Sequence, residues 1–212
     1  MTPYYEHAGI TIYHGDCRDV LPALSVGAIV ADPPYGISLD TSSRNHWLAD
    51  HAPVAGDDEP FDPASLLALG CPTILWGSNH YASRLPDARG WLAWDKATRN
   101  GLDLKQAEIE FAWTNCTTRP RAFRHMWSGA YRDSERGTRY HPTQKPVVLM
   151  TWCLGFIAES AQPIVDPYCG SGPVLIAAKN LGRRAIGIEI EERYCEIAAR
   201  RLSQEVLFGI GQ

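Results

Sequence analysis

Pro163-Ile164-Val165-Asp166-Pro167-Tyr168-Cys169-Gly170-Ser171-Gly172, followed by a helical run and then by Ala185-Ile186-Gly187-Ile188-Glu189, is the stretch that decides the fold. A short apolar strand over 163–165 leads into a glycine turn. The turn opens a helix over 171–181, and a second strand over 185–190 carries an acid near its end. Glycines in such a turn let the backbone bend sharply and let a ligand approach closely. Glu189 follows Gly170 by 19 residues, near the ~20 at which a carboxylate accepts hydrogen bonds from both hydroxyls of a ribose.

Asp166 narrows the choice of nucleotide. A dinucleotide site normally uses GxGxxG and aims a helix N-terminus at a pyrophosphate. Here there are two glycines, and Asp166 stands four residues before Gly170, where its charge would repel phosphate. An acid there suits a cationic, phosphate-free cofactor. S-adenosylmethionine, with a sulfonium, an ammonium and no phosphate, meets that description. A nicotinamide oxidoreductase is disfavoured by the missing third glycine, and a tight turn that binds nothing is the other alternative.

Outward from this unit the chain alternates strands and helices. Strands are predicted over 9–15, 28–31, 73–76, 91–94 and 108–113 by period-two or continuously apolar runs. Helices are predicted over 16–24, 62–69, 79–85, 146–158 and 191–207; in the last, Tyr194, Ile197, Ala198, Arg201 and Leu202 fall at i, i+3, i+4 spacing. This order implies a Rossmann-like, mostly parallel twisted sheet with helices on both faces. The 212 residues form a single domain, with no linker dividing them. Gly36 to Pro60 is polar and weakly periodic, and a mobile loop is expected over 37–60.

The second informative segment is Asp32-Pro33-Pro34-Tyr35, at the end of the apolar run Ala28–Ala31. The prolines end ladder pairing because they carry no N–H. Ligands in such sheets bind beyond the carboxyl ends of strands, so this segment and the glycine turn can share one crevice. An exocyclic amine of adenine or cytosine is a poor nucleophile, its lone pair being delocalised into the ring. The Asp32 carboxylate and the Pro33 carbonyl could grip its two hydrogens and localise that pair, while Tyr35 stacks on the base. The alternative is a proline turn with Tyr35 as packing.

Composition bounds the partners. The net charge is −4, which does not mark a nucleic-acid binder, but charge is unevenly spread. Thr117 to His141 holds six arginines, Arg119, Arg121, Arg124, Arg132, Arg136 and Arg139, against Asp133 and Glu135, and it carries Phe123, Trp127, Tyr131 and Tyr140. Arginines interleaved with aromatics can neutralise phosphates and stack on bases; a solvated loop is the alternative. The six cysteines form no CxxC pair and the histidines no ligand spacing, so neither a zinc site nor a disulfide framework is expected. No apolar run reaches the ~18 residues of a bilayer span, and the N-terminus has no secretion pattern, so a cytoplasmic protein is expected.

Taken together these segments resemble the DNA amino-methyltransferases, in particular the permuted group in which the catalytic motif precedes the cofactor motif. Asp32-Pro33-Pro34-Tyr35 is similar to their DPPY signature, and Asp166 to Gly172 to their DPFxGSG signature, with Tyr168 for Phe and Pro173 for Thr. His141-Pro142-Thr143-Gln144-Lys145-Pro146 matches HPTxKP, Gly15-Asp16 matches a GD near the cofactor's adenine, and Gly77-Ser78-Asn79-His80-Tyr81 resembles a loop bordering the catalytic pocket. The resemblance implies a circularly permuted class I S-adenosylmethionine-dependent methyltransferase fold. It also implies catalysis by Asp32, Pro33, Pro34 and Tyr35, and cofactor binding by Asp16, His141, Pro142, Thr143, Lys145, Asp166, Tyr168, Gly170, Gly172 and Glu189. Thr143 and Lys145 would help hold the methionine end.

The resemblance further implies methylation of adenine N6 in DNA after base flipping, since Asp in the first motif position accompanies adenine more often than cytosine. Cytosine N4, RNA, or a catalytically silent nucleic-acid-binding module are the alternatives. Position in the family places Arg119, Arg121, Arg124, Trp127, Tyr131 and Arg132 on the DNA. Only 117–140 is available as a target-recognition region. That brevity implies a short recognition site or a homodimer that shares recognition, and suits a bacterial or phage-encoded enzyme.

Overall fold

In the computed structural model the described residues are 1–39, 54–96, 107–128, 131–135 and 140–204. Most of the expected mobile loop (40–53), the window arginines Arg136 and Arg139, and the last residues assigned to the final helix lie outside them.

Among the described residues nine strands form one sheet. They are β1 (Tyr5–His7), β2 (Ile10–His14), β3 (Ala28–Ala31), β4 (Thr73–Trp76), β5 (Gly90–Asp95), β6 (Ile109–Thr114), β7 (Arg121–Arg124), β10 (Ile164–Asp166) and β11 (Ala185–Glu189). Their spatial order is β1-β2-β11-β10-β3-β4-β6-β5-β7. The central run β2-β11-β10-β3-β4 is parallel throughout. The outer part differs from the mostly parallel expectation. Here β6 runs antiparallel between β4 and β5, and β1 antiparallel on the opposite edge. A separate ribbon pairs β8 (Trp127–Ser128) with β9 (Tyr131–Arg132).

The parallel strands are apolar because both of their faces are covered. In β3 all four residues are buried. Alternation of side chains sends Ala28 and Val30 into one core and Ile29 and Ala31 into the other. The first core is roofed by α3 (Val147–Leu154), α4 (Pro173–Asn180) and α5 (Glu192–Ser203), through residues such as Leu149, Leu175 and Leu202. The second is covered by α1 (Cys17–Val20), α2 (Ala64–Leu67), Phe61 and Tyr81. No helix of the described residues is long and apolar enough to cross a membrane.

Two predicted helices give way to 3-10 turns. The helix expected over 16–24 stops at Val20 and continues as a 3-10 turn over Leu21–Ala23, because Pro22 cannot donate to the helical ladder. The one expected over 79–85 is a pair of 3-10 turns, Ser78–His80 and Ala82–Arg84.

Candidate active site

β10, β3 and β11 are parallel and consecutive in the sheet, so the segments that follow them emerge at one edge. A cleft of about 890 Å³ opens there, within the size range of small-ligand sites. It is lined by Asp32, Pro33, Pro34 and Tyr35 after β3, by Tyr168 and Gly170 after β10, and by Glu189 at the end of β11. Asp16, His141, Pro142, Thr143 and Lys145 line it as well. Asp166 and Gly172 are not on its wall. Asp166 is buried beside it, and Gly172 sits at the N-cap of α4 with φ +79°, where an added Cβ would meet that of Ala198 at 3.1 Å.

The nucleotide-facing side is pinned by main-chain donors. The Gly170 N–H donates to Glu189 Oε2 and the Glu191 N–H to Oε1, both at 2.8 Å. Each oxygen keeps a lone pair for an incoming hydroxyl. Burial pushes the Glu189 carboxyl up, against these two hydrogen bonds. Asp166 accepts from the Tyr168 N–H at 3.1 Å. Burial drives it well above the usual carboxylate range, and Asp32 and Glu189 add repulsion. Three carboxyl groups therefore crowd one cleft edge, a field that favours a cation. Asp16 caps α1 and is bound by the Arg18 side chain. His141 packs edge-on against Tyr194, with ring centres 4.3 Å apart, and contacts the Thr143 hydroxyl at 3.1 Å.

The catalytic side is a closed polar knot. Tyr35 donates its hydroxyl to Asp32 Oδ1. Lys145 Nζ donates to Asp32 Oδ2 at 2.6 Å and to Tyr35 Oη at 3.0 Å. Lys145, expected at the methionine end of a cofactor, is thus found on the first carboxylate of the DPPY segment. It also lies 3.1 Å from Glu110 Oε2, whose other oxygen is held by Lys96 at 2.6 Å. Both lysines are buried. Burial acts to lower Lys145, but Asp32 and Glu110 outweigh it and keep the ammonium charged. Burial likewise acts to raise Glu110, but Lys145 and Lys96 hold it at about 2. On Asp32 burial wins and raises the carboxyl despite Lys145.

Two contacts fix the Tyr35 ring and backbone. One ring face stacks on His80 at 4.9 Å and 11°. The other neighbour is Gly77, at φ +70°, where a Cβ would fall 1.9 Å from the ring; only glycine fits. The buried Asp57 carboxylate accepts from the backbone N–H groups of Tyr35, Gly36, Ile37 and Leu39, at 2.7 to 3.3 Å. The described ends of the 37–60 segment are therefore tied together at the catalytic turn.

The arginine-rich segment divides. Arg119, Arg121 and Arg124 are exposed, the last two on the edge strand β7, and Tyr131 is 53% exposed. Trp127 is instead buried, donating its indole N–H to the Gln144 carbonyl at 3.0 Å, with the Arg132 guanidinium 4.5 Å over its ring. In β8 it packs against the core behind the HPTQKP segment, and both it and Arg132 line the cleft. Sequence reasoning missed Glu110, Lys96 and Asp57. The one local signal was an acid between Ile109 and Phe111 in an otherwise apolar strand.

A glycine-turn sheet with an anionic crevice and an aromatic-carboxylate knot at its carboxyl edge defines a nucleoside-cofactor α/β enzyme scaffold. The solved structures place it more closely. The M1.HpyAVI–SAM complex superposes with a TM-score of 0.55 at 25% identity, covering 91% of this chain and 99% of that one. PvuII DNA methyltransferase (cytosine-N4-specific) superposes with a TM-score of 0.64 at 14% identity, covering 97% and 90%. The fold is that of the class I methyltransferases. The family model described as DNA methylase, of the N6/N4 methyltransferases, matches residues 73–200, and the chain belongs to that family. The type II methyltransferase M2.LlaDCHI of Lactococcus lactis subsp. cremoris is 36% identical over 86 residues, 40% of this chain and 32% of that protein. The match thus spans about a third of the relative's length.

Proposed function

We propose that this chain transfers a methyl group from S-adenosylmethionine to the exocyclic N6 amino group of adenine in DNA. The observation that carries the reading is the juxtaposition of Asp32 with the Glu189–Asp166 edge in one cleft, a pinned amine acceptor beside a cation-favouring nucleoside site. S-adenosylmethionine fits these residues. Glu189 retains one lone pair per oxygen for the ribose hydroxyls, and the buried Asp166 and its acidic neighbours offset the cofactor's positive charge. When bound, the cofactor supplies an electrophilic methyl on a thioether leaving group.

The chain's residues do the rest. Asp32, oriented by Tyr35 and Lys145, accepts an N–H of the target amine through a remaining lone pair, and the Pro33 carbonyl faces the second. With the cofactor bound, Asp32 and the Pro33 carbonyl would hold the amine so that its nitrogen could take the methyl directly, the thioether leaving, without a covalent enzyme intermediate. The surplus proton on the product nitrogen leaves through the nearest acceptor, Asp32, whose acidity burial weakens. Holding the reacting atoms in line accounts for much of the rate. Asp in the first motif position supports adenine over cytosine.

Nucleoside mass spectrometry of unmethylated DNA incubated with the protein and S-adenosylmethionine tests this. N6-methyladenine is expected; N4-methylcytosine would keep the chemistry and replace the base. Asp32→Ala should lower transfer by about 10²–10⁴-fold with cofactor affinity little changed. Full activity in that variant would overturn the assignment of Asp32.

A further inference from the structure

Asp32, Lys145, Glu110 and Lys96 form a chain of alternating charge along the cleft wall, each in contact with the next. Lys96 follows β5 and Glu110 lies in β6, opposite Trp94 in the register. The pair thus sits on neighbouring strands whose pairing sets its position. The Lys145 ammonium donates to Asp32 and Tyr35 and forms an ion pair with Glu110 Oε2 at 3.1 Å. A buried ammonium held only by the group that must also receive substrate would shift whenever substrate arrived. Glu110 supplies a second anchor outside the reaction.

We propose that Glu110, backed by Lys96, is a positioning residue that holds Lys145 against Asp32 and thereby fixes the charge and orientation of the amine acceptor. This rests on the reading of Asp32 as that acceptor. Lys145 works in the same way on Asp32 and need touch neither cofactor nor base. The arrangement is net neutral, so Lys145 offsets the Asp32 charge without adding net positive charge to a cleft that takes a cation. A bare ion pair closing the β5–β6 edge would stabilise the fold but would not reach Asp32.

Asp32 is faced by Lys145, Tyr35 and Glu110, and within the same knot by Tyr81 and Asp166. Of these, Lys145 lowers the Asp32 carboxyl and Glu110 raises it. Removing each should move Asp32 in opposite directions. The experiment titrates the Asp32 carboxyl by carbon-13 NMR in aspartate-labelled protein, assigned with Asp32→Asn, for the wild type, Glu110→Gln and Lys145→Met. Single-turnover methyl transfer is measured on the same samples, with Asp95→Asn, at the end of β5 and outside this chain of charges, as a control. Expected are a downward shift of Asp32 in Glu110→Gln and an upward shift in Lys145→Met. Transfer in Glu110→Gln should fall roughly ten- to a hundredfold, the range for losing a group that only orients another, with cofactor affinity retained. An unchanged Asp32 titration and transfer rate in folded Glu110→Gln would overturn the proposal, as would a loss of thermal stability alone. If wild-type protein methylated no DNA, the functional reading would fail, while the titration would still decide whether Glu110 governs Asp32.

Discussion

At Gly77 a single missing methyl sets the position of the Tyr35 ring. Its φ of +70° and the 1.9 Å approach of a built Cβ to Tyr35 mean that Gly77→Ala must both strain the backbone and expel the ring. Stability should fall by about 1–3 kcal/mol, read by thermal denaturation, and transfer should fall further than stability explains. Asp166 makes the opposite trade. Its carboxyl is raised in the fold, chiefly by burial. A raised acid favours the folded state when protonated, so it costs stability as pH climbs from the ordinary carboxylate range through the raised value. That cost is present at neutral pH. Asp166→Asn should therefore stabilise the cofactor-free protein by about 1 kcal/mol, or about 2–4 °C in Tm. The same variant should bind S-adenosylmethionine more weakly in calorimetry. A drop in Tm would show that the carboxylate is not under strain.

At the scale of elements, Arg183 shows how a loop side chain can finish a helix. Its guanidinium donates to the carbonyls of Leu154, Ile157, Ala158 and Ala161, at 2.8 to 3.3 Å. They lie at and beyond the end of α3; those of Leu154 and Ala158 also accept the backbone N–H groups of Ile157 and Ala161. Arg183→Met should cost about 2–4 kcal/mol, as expected when charge-assisted bonds are lost and buried acceptors orphaned, with transfer per folded molecule unchanged. Buried parallel strands such as β3 and β10 were legible in the sequence because burial on both faces leaves an apolar run. β7 was not. Arg-Ala-Phe-Arg reads as a basic patch, and it is also an edge strand, where charged side chains deter pairing with another sheet. The arrest of α1 was foreseeable from Pro22; the split of the 78–84 segment into two 3-10 turns had no comparable mark.

For the whole molecule, the fold class followed from the alternation of apolar runs and amphipathic helices, and the glycine turn located the cleft. The wiring of that cleft did not. Lys145 meets Asp32 across 113 residues of chain, and Asp57 reaches Tyr35 across 22; such pairs depend on how the sheet closes, which no local pattern encodes. Motif logic assigned Lys145 to the cofactor's methionine end, and its contact with the Asp32 carboxylate is a feature that the motif does not encode. The exposed arginines, by contrast, stand on the outermost strand, away from the cleft wall. Charge reversal of Arg121 and Arg124 together should weaken DNA binding and flatten its dependence on salt, measured by fluorescence anisotropy across ionic strength. Unaltered salt dependence would remove β7 from the DNA surface.

That separation of charge turns the protein into a sorter. On the proposed reading, a polyanion would be drawn to the arginine edge and repelled by the acid-floored crevice, which would keep phosphates at the rim while an uncharged base passed inward. Admission is thereby selective before any base edge is read, and a phosphorylated nucleotide offered alone should compete poorly for the pocket that accepts a cationic nucleoside.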